Sequence, residues 1–151
     1  MDSDNGSHAV FDRIGREAAA VIGQRLFTVT AFDAAAMQVQ RVYSSNPTAY
    51  PVGGRKPKLD TEFGRRVLIE MQPVTCEGDD AIARFFDDHE KIRGLGLHSS
   101  INAPVVDRDR CIGVLNFLMP GAQVTEDQLQ AARRFASDPG AHAALAAVSS
   151  L

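Results

Sequence analysis

Apolar positions along this chain recur at two spacings, and the switches between them divide it into elements. Between residues 9 and 24, Phe11, Ile14, Ala18, Val21 and Ile22 fall at helical spacing with Asp12, Arg13, Arg16 and Glu17 between them, which predicts an amphipathic helix. Residues 25–33, RLFTVTAFD, are rich in aromatic and β-branched side chains and predict a first strand. Residues 37–45 predict a second, with a bulge near Gln40 and Arg41 where alternation fails. Residues 46–59, NPTAYPVGGRKPKL, hold three prolines and two glycines, which predicts a long irregular connection, with residues 46–58 serving as a lid.

The second half has its own punctuation. Thr61 is placed to cap a helix reaching Met71 through Phe63, Val67 and Leu68. Residues 72–77 predict a short strand. Asp79 and Asp80 then open a helix carrying Ile82, Phe85 and Phe86, and a further turn through Ile92 stops at Gly94 and Gly96. Residues 98–119 predict a hairpin: an apolar run from Ile101 to Val106, four charged turn residues, and a second apolar run from Cys111 to Met119. In that second run Ile112, Val114 and Leu118 take one face and Leu115, Phe117 and Met119 the other, so the strand belongs at the centre of a sheet. Thr125 and Gln128 form a capping-box pattern, with Val124 and Leu129 as a hydrophobic staple. Asp138-Pro139-Gly140 interrupts this last helix, and the alanine-rich end can restart as helix with little bulk to anchor it.

The expected organisation is a disordered start over 1–8, one domain over 9–137 and an alanine-rich helical extension over 138–151. The fold class is mixed α/β (α+β). A mainly antiparallel sheet carries the middle helices on one face and the terminal helices on the other.

Composition narrows the function classes. A chain of 151 residues matches one domain burying roughly two-thirds of its unfolded surface. The apolar fraction of 44% and charged fraction of 23% exclude disorder as the default state. A net charge of −3 gives no general attraction to polyanions, and Arg55, Lys56 and Lys58 are too few to make a nucleic-acid face. No apolar run approaches the roughly 20 residues that span a bilayer, and the start lacks a signal-peptide pattern, so a cytoplasmic protein is expected. Cys76 and Cys111 fit a reducing compartment as small core residues, and no Cys/His spacing suggests zinc. No catalytic triad, phosphate loop or metal motif can be assembled, and no pattern names a cofactor.

RLFTVTAFD followed by RVYSSNPTAYPVGGRKP, then IRGLGLHSSINAPV, and finally the charged turn with IGVLNFLM, resembles the GAF domain, a small-molecule-binding sensory fold. The resemblance covers residues 10–137. It implies a central antiparallel sheet of five or six strands, a ligand cavity under the middle loops and helices, and helix-mediated homodimers. It brings no single activity, since members of the family include cyclic-nucleotide sensors, pigment-binding photoreceptor modules and free methionine sulfoxide reductases. Pigment attachment asks for a loop cysteine near a histidine, and the reductase branch for an exposed thiolate; neither Cys76 nor Cys111 stands in such a context.

The polar residues that can face such a cavity are Tyr43, Ser44, Tyr50, Lys56, His98, Ser100, Asn102 and Asn116. Asn102 and Asn116 interrupt apolar strands, and a buried amide must find partners in the protein or in a ligand. A simple four-residue turn places them on opposite faces; only a bulge brings them together. Lys56 either folds over the cavity to attract an anionic group or is a solvated loop lysine. Tyr50 offers a flat face and a hydroxyl, or covers the core. The expected ligand-binding set is Tyr43, Tyr50, Lys56, Ser100, Asn102 and Asn116.

These readings converge on a non-enzymatic sensory or regulatory module. It binds a small organic ligand, anionic where Lys56 folds over the cavity, works as a homodimer and acts through a regulatory partner protein. The rivals are a thiol-dependent reductase of a small oxidised metabolite and a purely structural dimerisation module with a filled cavity.

Overall fold

The computed structural model describes residues 3–58 and 60–149. Helix α1 (Ser3–Val21) leads into β1 (Leu26–Asp33) and β2 (Gln38–Ser44), followed by β3 (Gly53–Pro57). Helix α2 (Glu62–Gly64) continues as a π-helical turn (Arg65–Ile69) and precedes β4 (Val74–Glu77), α3 (Asp79–Phe85) and α4 (His89–Gly94). The hairpin of β5 (Ser99–Asp107) and β6 (Arg110–Met119) follows, then α5 (Glu126–Ala136) and α6 (Pro139–Ser149).

The six strands form one antiparallel sheet in the order β3-β2-β1-β6-β5-β4, with the doubly apolar β6 near its middle as expected. Phe27, Val29, Leu115, Phe117 and Met119 face one core, under α1, α5 and α6. Leu26, Phe32, Val114, Leu118 and Cys76 face a second core, against Val67, Leu68, Ile82 and Ile92 of the middle helices. The division of helices between the two faces follows the sequence expectation.

Three predicted elements are corrected. Residues 53–57 form strand β3, where an irregular lid was expected; as an edge strand it tolerates Pro57, and Gly53 and Gly54 take positive φ where an extra residue enters the ladder. The first helix begins at Ser3 and not at Ala9, so residues 3–8 are helical; its early turns gain a packing partner where the His8 ring lies 5.2 Å from that of Tyr43. Met1 and Asp2 lie outside the described residues. The alanine-rich end is no appendage, because Ala141, Ala144 and Leu145 are buried in the first core. Leu145 fits over Gly113 of β6, where even a methyl group would come within 2.7 Å of both Leu145 and the Thr30 carbonyl oxygen.

Local chemistry fixes the joints. The capping box at Thr125 is present in both directions. Asp138 accepts from the Ala141 amide and from Arg13 at 2.9 Å, so it starts α6 and ties it to α1. Strand β4 pairs only as far as Val74 with Asn102, because Pro73 and Pro104 lie just beyond and neither has an N–H for the ladder.

Candidate functional site

A register shift in the central hairpin creates the polar part of the site. Val106 pairs with Cys111 but Val105 pairs with Gly113, so Ile112 is the extra residue of a bulge. Ile112 is thereby turned into the core under the terminal helices, away from Val114 and Leu118 with which simple alternation had grouped it. The same shift brings Asn102 directly opposite Asn116 on the second face.

The two amides form a directed hydrogen-bond ladder. Asn102 Nδ2 donates to Asn116 Oδ1 at 2.8 Å, and Asn116 Nδ2 donates to both Thr28 Oγ1 and Thr30 Oγ1 at 3.2 Å. Each threonine hydroxyl, already accepting, keeps its own proton to donate. Thr30 and Asn116 reach the floor of a cavity of about 520 Å³, within the range of small-molecule sites. Asn102 lies deeper, 1% exposed, and its Oδ1 has no partner among the described residues.

The cavity is roofed by Gly64, Val67 and Leu68, where the π turn widens the helix that Thr61 caps. Its side wall is aromatic: the Phe63 ring stands 5.3 Å from Phe86 and 6.4 Å from Phe85. Val39, Lys56, Pro57 and Lys58 of the β2–β3 edge close one flank, and Asp87 and Asp88 the other. Lys56 and Asp87 are exposed, and neither side chain has a hydrogen-bond or ion-pair partner among the described residues. A second depression of about 580 Å³ lies between the β5 edge and the α5–α6 joint, but there His142 Nε2 is already 3.2 Å from Asp107 Oδ1. The first cavity is the better candidate, since it joins an apolar wall to a half-buried polar floor.

Tyr50 stands behind the acidic flank as a strap. Its hydroxyl donates to Asp88 Oδ2 at 2.5 Å, and its ring is held by the Arg41 guanidinium at 5.1 Å and the Lys91 ammonium at 4.3 Å from the centroid. Lys91 also donates to the Ala49 carbonyl, and Arg41 to that of Pro51 at 3.2 Å. Burial and the Asp88 carboxylate together push the Tyr50 phenol far above its ordinary pKa, so it remains a donor.

A match to the sequence profile of the GAF domain spans residues 7–139. The chain belongs to the GAF domain family. Among curated proteins none matches it. Solved GAF domains share its fold at low identity. The GAF/HD domain protein of Geobacter sulfurreducens is 14% identical, covers 100% of this chain and 96% of its own, and gives a TM-score of 0.73. The second GAF domain of DevS from Mycobacterium smegmatis is 23% identical over 94% and 95% of the two chains, with a TM-score of 0.63. A phycoerythrobilin-bound GAF domain from a cyanobacterial phytochrome is 16% identical over 100% and 99%, with a TM-score of 0.62.

Of the residues expected at the ligand site, this GAF domain brings Lys56 and Asn116 to the cavity wall, with Asn102 one step behind. Tyr43 is on the opposite face: the β2 bulge pairs it with Val29, and its hydroxyl donates to Asp12 Oδ1 of α1 at 3.1 Å. Burial, with Asp12 adding to it, pushes the Tyr43 phenol up to about 12. Ser100 is fully buried beside Cys76 and does not reach the cavity, and Tyr50 is committed to its strap. Of the remaining polar residues, Ser44 is buried and donated to by the Asn46 amide at 3.1 Å, and His98 Nδ1 lies 2.7 Å from Asp79 at the surface. Thr30 and the aromatic wall were not among the expected site residues. The available signal was Thr28-x-Thr30, two hydroxyls at strand spacing in a run otherwise apolar on both faces.

Cys76 and Cys111 are both buried, and burial raises both thiols, Cys111 to about 11. Cys111 Sγ donates to the Gly113 carbonyl at 3.2 Å. No helix among the described residues is long and apolar enough to cross a membrane, and no group of three or more potential metal ligands occurs among them.

Proposed function

We propose that this GAF domain is a non-catalytic, cytoplasmic sensory or regulatory module that binds a small organic ligand between its sheet and its middle helices. The observation that carries this reading is the cavity of about 520 Å³ itself, an aromatic wall set over a polar floor, with an unpaired ammonium at its edge. Lys56 meets an anionic group of the ligand at the mouth, and the other end of the ligand lies over the floor formed by Thr30, Asn116 and Val114. Asn116 and Asn102 hold Thr30 in place. Two buried, protonated thiols support a binding role over thiol-dependent reduction. The cavity argues in the same way against a purely structural module with a filled core.

The module acts as a homodimer through α1 and α5, passing its state to a regulatory partner protein. The outer end of α1, Ala19-Ala20-Val21, is exposed, with Val21 at 55%, and offers aliphatic surface to a second copy. The test is methyl-detected NMR during a small-molecule screen. Binding in the cavity shifts the methyls of Thr30, Val67 and Val114 together while those of Val29 and Leu145, on the other face, stay in place. A ligand that moves only surface signals refutes the assignment.

A further inference from the structure

Resting on that reading, we infer that the ligand is a free α-amino acid with an apolar side chain, its carboxylate on Lys56 and its ammonium on Asp87. The cavity mouth carries opposite charges on its two flanks: Lys56 on the β3 side, and Asp87 in the turn after α3. Both are exposed and both lack a side-chain partner among the described residues, so the pair is too far apart to neutralise itself. A cation and an anion held apart in one cavity lining attract a molecule that bears both signs and can pair with each.

The depth profile sets where those signs must sit on the ligand. Lys56 and Asp87 are at the exposed rim, whereas Val67, Leu68 and Val114 below are 0%, 8% and 3% exposed. A ligand that carried a charge below the rim would leave it in the apolar interior, where an unpaired ion is strongly disfavoured. A ligand with both charges on one carbon and an apolar tail satisfies the rim and the walls together. The tail then lies along Phe63 and Phe86, toward Thr30 on the floor. Asp88, the other rim carboxylate, already accepts from the Tyr50 hydroxyl, which leaves Asp87 for the ammonium.

The test is isothermal titration of the purified chain with phenylalanine, methionine and leucine, and with 3-phenylpropanoate and 2-phenylethylamine, which lack the amine and the carboxylate respectively. At least one amino acid binds, and phenylalanine binds roughly tenfold or more tightly than either truncated analogue, each charge-assisted contact being worth at least that factor. Asp87→Asn removes the preference for phenylalanine over 3-phenylpropanoate while the propanoate keeps its affinity, which also reports that the variant is folded. Lys56→Met does the same for the comparison with 2-phenylethylamine. If 3-phenylpropanoate binds as tightly as phenylalanine, or Asp87→Asn leaves the preference intact, the amino-acid inference is wrong while the small-molecule cavity stands. If no amino acid binds, the inference is overturned, and if no probe moves the cavity methyls the cavity reading falls with it.

Discussion

Lys56 is a cation at the mouth of an apolar cavity with nothing bonded to it among the described residues. Lys56→Ala therefore removes a ligand contact without removing a structural one. Titration with an anionic ligand should show a loss of about 1.5–3 kcal/mol, the worth of a hydrogen bond to a charged group. The urea midpoint of the free protein should move little. The cysteines are expected to be inert. Thiol reagents should modify Cys76 and Cys111 slowly in native protein and at once in denaturant, because each must first be exposed and ionised. The folded Cys111 thiol holds its proton up to about 11, against 9.0 unperturbed. It thus favours the fold fully below about pH 9 and loses that contribution as pH rises through about 11. Residue type was readable in advance for these positions, and the partner was not. That Asn102 and Asn116 are amides within apolar strands and in need of hydrogen bonds follows from the sequence, but their meeting depends on one inserted residue, Ile112. The same limit applies to Tyr43, which a bulge turns away from the cavity.

Helices and strands with strong periodicity or clear caps were legible: α5 begins where Thr125 and Gln128 require, and β6 is central because it is apolar on both faces. Strand β3 was hidden, since glycine and proline predict irregular chain unless the strand lies on an edge. The connection before it is held by Tyr50, whose removal from α4 should release it. Tyr50→Phe deletes the hydrogen bond to Asp88 and keeps the ring between Arg41 and Lys91. Amide exchange over residues 46–52 should quicken while that of β5 and β6 is unchanged; unaltered exchange would mean that ring packing alone holds the strap. At the other end, Asp138 joins α1 to α6. Burial by itself would raise its carboxyl, but the Arg13 guanidinium and the Ala141 amide outweigh this and hold it below 3.8. A carboxyl lower in the folded state stabilises when ionised, an effect complete above about pH 4 and lost as pH falls through its folded value. Asp138→Asn should lower stability at neutral pH and flatten its acid slope, measured by urea unfolding between about pH 5 and 2.

The two-core arrangement, six antiparallel strands between two helical layers, assigns different tasks to the two faces. The terminal helices bury large aliphatic and aromatic side chains against one face, and the depression there lies at its β5 edge. The middle helices are short, and the π turn and the aromatic trio hold them off the other face over Thr30 and Asn116. This asymmetry, which no single segment of sequence displays, is why the fold could be read from patterning and the site only in part. A native mass spectrum of the protein purified without denaturation addresses both the cavity and the assembly. The account predicts two chains per particle carrying a small organic molecule, with a mass excess that collisional activation removes. Bare single chains, unchanged when apolar amino acids or other small organic ligands are added, would contradict it.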